Sequence, residues 1–188
     1  MCGRNHDEPS VGRGAADRVF SEVNVDRRRP GQRGRYPTEL MTELRAQIVS
    51  AFPELPIPTP QSAVEDTYCV EHLHEHLAGR PWTEPTVGDY RQCEDGFSLL
   101  TVAGLHYYLP GYLCSELDDP ETADVIAEHV CSTLGGKSAF CRERMKALGA
   151  IVTPLQMSAL KKWLHYYVAE YGANGSTRRA LATIDNWG

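Results

Sequence analysis

The chain is predicted to be all-α, a compact bundle of about five or six helices with a kinked central helix. Three observations predict it. From residue 38 to 171, apolar side chains recur every three to four positions, the spacing that places them on one helix face. Proline, glycine and capping hydroxyls punctuate those runs where helices start and stop. No stretch alternates apolar and polar residues with the period of two that a half-buried strand requires. With 188 residues, 41% of them hydrophobic, the chain is long enough to close such a core as one domain.

Leu40, Leu44 and Ile48 lead at four-residue spacing to Phe52 and Pro53, whose missing amide ends a first helix over 38–52. Pro53, Pro56, Pro58 and Pro60 impose a stiff extended connection. A second helix is expected from Gln61 or Ser62 through Val64, Tyr68, Leu73 and Leu77, closing at Gly79. Residues 80–100 hold Pro81, Pro85, Gly88 and Gly96, and read as loop with one short helical turn. Thr101 can cap the central helix, striped by Leu105, Tyr108, Leu109, Tyr112, Leu113 and Leu117, with Pro110 predicting its kink. Pro120 opens a helix burying Val125, Ile126, Val130 and Leu134, which stops at Gly135 and Gly136. Ser138 starts a short helix carrying Phe140, Met145 and Leu148 that Gly149 would end. Thr153, Pro154 and Gln156 form a capping box with proline at the first helical position, and a long helix follows to Gly172.

The domain organisation follows from charge and composition. Residues 1–36 carry eight arginines against five acids, a net +3, and too few large apolar residues to offset the entropy of ordering. They read as a disordered Arg-rich leader before a helical domain at 37–172. Residues 173–188 form a C-terminal tail in which Ala180, Leu181, Ile184 and Trp187 permit a short helix. The chain beyond the leader carries a net −9, a poor match to phosphates, so nucleic acid is not expected as a partner. No run approaches the roughly 18 to 20 apolar residues of a membrane span, and no apolar region follows the charged N-terminus. A cytoplasmic protein without a membrane partner is the expectation. The six cysteines include no CxxC pair and read as free thiols rather than bridges or a zinc site.

One motif could carry metal chemistry. His72 and His76 lie four apart on a predicted helix and Glu75 completes HxxEH, the order in which two histidines hold zinc and a glutamate activates its water. The competing reading is a solvated helix face, because the three point away from the Val64, Tyr68, Leu73 and Leu77 stripe. The surface reading is preferred, and no cofactor is expected; a zinc-dependent hydrolase is the alternative. GGKS at 135–138 lacks the leading glycine and strand of a phosphate loop. Asp118 and Asp119 precede Pro120 and Glu121, where negative charge favours the start of the following helix. Aromatic residues give a different candidate: Trp82, Tyr107, Tyr108 and Tyr112 as binding residues, with Tyr108 and Tyr112 on one face and Tyr107 rotated off it.

FSLLTVAGLHYYLPGYLCSEL, from Phe97 to Leu117, resembles the central motif of a family of bacterial domains of unknown function, in which a Thr- or Ser-capped helix carries an aromatic pair, Leu-Pro and a further aromatic-Leu. Ala51-Phe52-Pro53, the Gly-Arg-Pro-Trp ending at Trp82 and the Thr153, Pro154, Gln156 opening are similar too, so the resemblance covers about 38 to 171. It implies a helical domain with no catalytic residues to carry over. The function expected is a non-enzymatic helical module that binds a protein partner, of an immunity-like or regulatory kind.

Overall fold

The computed structural model describes residues 36–68, 70–123 and 125–187; the leader, apart from Tyr36, lies outside them, as do Cys2 and Cys69. Among the described residues the chain is all-α. In order the helices are α1 (Thr38–Ala51), α2 (Pro60–Ala63), α3 (Glu71–His76), α4 (Val87–Gln92), α5 (Val102–Asp118), α6 (Pro120–Ala123), α7 (Ile126–Leu134), α8 (Ala139–Ile151), α9 (Pro154–Tyr171) and α10 (Gly175–Asp185), with a 3-10 turn, Asp95–Leu99, before α5. Ten helices exceed the five or six expected, because two expected helices are each split and the 80–100 segment is largely helical.

α5 is the axis of the fold: every residue from Tyr107 to Leu117 is buried, and the helix runs on through Pro110. Thr101 caps it by accepting the Gly104 amide at 3.1 Å. α1 lies on α5 and α9, burying Leu44 and Ile48, with Phe52 just beyond its end. Leu40 stays 44% exposed because Met41, about 100° further round the helix, faces the core in its place.

The expected helix through 61–77 breaks after Ala63. The amide of Glu65 donates to Leu99 O at 2.9 Å and that of Thr101 to Ala63 O at 2.9 Å, so Val64 and Leu100 pair as a short antiparallel bridge. These long-range bonds take the Glu65 amide and the Ala63 carbonyl that a continuing helix would have used, and Tyr68, expected on the apolar stripe, is 91% exposed. Gly104 makes the approach feasible, since any side chain there would meet the Ala63 carbonyl.

The 53–101 segment is held to α5 largely by tyrosine hydroxyls. Tyr107 donates to Glu54 O at 2.5 Å, Tyr108 to Leu77 O at 2.8 Å and Tyr112 to Cys93 O at 2.9 Å. Tyr90, on α4, donates to Trp82 O at 2.6 Å. α4 exists because Thr86 and Asp89 form a reciprocal capping box.

Side-chain caps start each of the last three helices. Ser138 caps α8 by accepting the Cys141 amide, and Thr153 with Gln156 caps α9. α9 ends at Gly172, whose φ of +87° suits glycine. Asn174 then caps α10, which packs on α7 and α9 through Thr177, Ala180 and Ile184. Arg144, buried, ties α8 to the α5 entry, donating to Ser98 O at 2.6 Å and to Leu100 O. α8 continues past Gly149, expected to end it. Glycine is there because the Trp187 ring lies against α8, 2.5 Å from where a Cβ would stand. Phe140, on the same helix, is 64% exposed, with the Arg144 guanidinium over its ring.

Candidate functional site

Beside the Trp187–Gly149 contact lies a cleft of about 450 Å³ between α8 and α10. Leu134 and Gly136 line it from the α7 exit, Arg142, Met145, Lys146, Gly149 and Ala150 from α8, and Thr183, Asn186 and Trp187 from α10 and the residues after it. Arg142, Lys146 and Gly149 share one face of α8 through i, i+4 and i+7 spacing. Leu134 and Met145 are buried and make an apolar floor, while Arg142 and Lys146 are exposed on the rim. One Arg142 nitrogen donates to Lys137 O at 2.5 Å, leaving the rest of its guanidinium uncommitted. Lys146 has no hydrogen-bond or ion-pair partner among the described residues. The wall is anchored: Arg179 donates to Gly135 O at 3.1 Å, and the Trp187 amide to Ile184 O at 3.2 Å.

Charge is divided sharply along the chain. Residues 135–188 carry eight Lys and Arg against three Asp and Glu, a net +5. Residues 37–134 carry three against seventeen, a net −14. Beside the cleft, Asp185 is held by Lys161 at 2.8 Å, a link joining α10 to α9. Lys161 in turn borders a second hollow of about 450 Å³, lined also by Pro154, Met157, Ser158, Lys162 and His165.

The aromatic residues expected to bind lie inside. Tyr108 and Tyr112 are fully buried and Trp82 and Tyr107 nearly so, and the tyrosine hydroxyls are spent on the carbonyls named above. Burial pushes the Tyr108 hydroxyl up to about 12 and that of Tyr112 well above its ordinary value. The thiols of Cys93, Cys114 and Cys131 are likewise pushed up to about 12 by burial. Such thiols pack as small apolar groups and are poor nucleophiles.

The structure keeps His72, Glu75 and His76 on α3, a helix of six residues. The His76 ring donates through Nδ1 to Asp89 Oδ1 at 2.8 Å, since a carboxylate can only accept. That bond, with Thr86 and Arg80 adding to it, holds the Asp89 carboxyl down at about 2. His72 lies against Gly96, its Nε2 2.6 Å from where a Cβ would stand, and Glu75 is exposed. Among the described residues, the three metal-ligating groups that come within 4.8 Å of one another belong to Glu94, Asp95 and His129. Glu94 already carries the Arg91 guanidinium as its cation, and His129 Nδ1 stands 3.5 Å from Asp95 Oδ1. Asp119 serves as a cap for α6, accepting the Thr122 amide at 3.1 Å.

Sequence reasoning missed the cleft. Its net −9 averaged the two charge blocks together, and Trp187 figured only as an apolar residue of the tail. A running charge count would have flagged the change at residue 135. No family model matches the chain, and no curated protein or solved structure matches it either.

Proposed function

We propose that this protein is a non-enzymatic binding module, immunity-like or regulatory, which engages a protein partner through the cleft between α8 and α10. The observation that carries the reading is the opening itself: about 450 Å³ with a buried apolar floor, a half-buried tryptophan wall and two cations at the rim. That composition is what interface anchor sites use, an aromatic and apolar centre with polar groups around it. The groups best suited to chemistry are committed elsewhere, His76 to Asp89 and three thiols to the core. Free buried thiols at Cys93, Cys114 and Cys131 suit a reducing compartment, and we place the protein in the cytoplasm. Among the described residues no helix is long and apolar enough to cross a membrane.

The test is to pan a random peptide library against the wild-type protein and against Ala150→Trp, a substitution at an exposed position that fills the opening. Peptides that bind the wild type and lose about tenfold or more in the folded variant are expected, the equivalent of about 1.4 kcal/mol. A library yielding no binder, or binders indifferent to Ala150→Trp, overturns the reading.

A further inference from the structure

We infer that the partner segment entering the α8–α10 cleft is acidic, an apolar anchor residue flanked by carboxylates; this rests on the cleft being the binding site. Arg142 and Lys146 stand one turn apart on α8, so two carboxylates spaced by a turn or a short extended step meet both at once. Neither cation is neutralised from within. Glu143 is rotated about 100° from Arg142 around the helix, and Asp185 is already held by Lys161 at 2.8 Å. The guanidinium offers a planar fork suited to a carboxylate, and the ammonium a mobile point charge. Beneath them Met145 and Trp187 take the apolar anchor, one through an adaptable thioether and the other through a flat ring.

The wider charge distribution selects in the same direction. Residues 135–188, which supply most of the cleft lining, carry a net +5, whereas residues 37–134 carry −14. An acidic segment is favoured over a basic one beside the exposed Arg142 and Lys146. Nucleic acid is served less well, because a phosphate strand gains little from an apolar floor and the chain from residue 37 onward carries a net −9.

The library selection decides this through the composition of the binders that Ala150→Trp eliminates. Enrichment in Asp and Glu beside Leu, Ile, Phe or Met is expected, with affinity that weakens as salt rises. Binding should fall about fivefold to tenfold in Lys146→Glu or Arg142→Glu and by less in Lys146→Gln, both sites being exposed. Trp187 emission, read against a Trp187→Phe blank, should change on titration with the same peptides. Cleft-dependent binders that are neutral or basic, or that ignore Lys146→Glu, overturn the acidic assignment and leave the cleft standing. A selection that yields no binder sensitive to Ala150→Trp overturns the cleft itself. A single-stranded oligonucleotide that outcompetes the peptides, or salt-sensitive self-association abolished by Lys146→Glu, overturns the assignment in favour of nucleic acid or a second copy of this chain.

Discussion

Gly149→Ala sets two opposing effects against each other at the wall of the cleft. In the interior of a helix the change ordinarily stabilises by about 1 kcal/mol, because glycine has more backbone freedom to lose. Here the new methyl would lie 2.5 Å from carbons of the Trp187 ring, and the indole has to leave. A half-buried indole keeps on the order of 100 Å² out of water, worth about 2.5 kcal/mol at roughly 25 cal/mol per Å². The loss therefore wins by about 1.5 kcal/mol, and Tm falls by about 3 to 6 °C for a chain of this size. In a Trp187→Ala background there is no indole to displace, and the same substitution returns the helix gain of about 1 kcal/mol. Thermal and urea melts of the four proteins measure the coupling, expected near 2.5 kcal/mol. Trp187 emission should shift to the red in Gly149→Ala, while buried Trp82 and Trp163 hold their positions. Equal stabilisation of both backgrounds would refute the placement of the indole on α8, and with it the wall of the cleft.

Two further predictions concern α3 and α4. The Asp89 carboxyl, held at about 2 against an ordinary 3.8, contributes stability fully present above 3.8 and lost as the pH falls through 2. Asp89→Asn should lower Tm at neutral pH and flatten that acid limb, by on the order of 1 kcal/mol after solvent screening; an unchanged limb would show that the carboxylate is not held by His76. His76→Ala should destabilise through the same bond and leave the response to added zinc as it is in the wild type. A Tm raised by zinc in the wild type alone would restore the HxxEH reading.

Local chemistry was the legible part of the fold. Thr101, Ser138 and the Thr153–Gln156 box all cap the helices they were expected to cap, because a cap is decided within four residues. Long-range bonds were not legible. Val64 and Tyr68 satisfy helical spacing, yet the Glu65 amide goes to Leu99, thirty-four residues on, which periodicity cannot register. Gly149 shows the same limit from the other side: the residue that looked like a helix stop is small to admit a ring from the far end of the chain. The binding candidates failed to reach the surface for a related reason. A tyrosine suits an interface and a core equally well when a carbonyl waits for its hydroxyl, and Leu77 and Cys93 supply those carbonyls.

The hydroxyls of Tyr107, Tyr108 and Tyr112 also decide when the first half of the molecule can assemble. α2, α3 and α4 have four, six and six residues, too short to persist unaided in water. Their tyrosine tethers arrive only with the central helix, so a chain ending at residue 101 holds them by little more than the local His76–Asp89 and Tyr90–Trp82 bonds. A fragment cut there should remain unfolded. In the finished protein the amides of these short helices should exchange with solvent in one opening event shared with α5, rather than fray one by one.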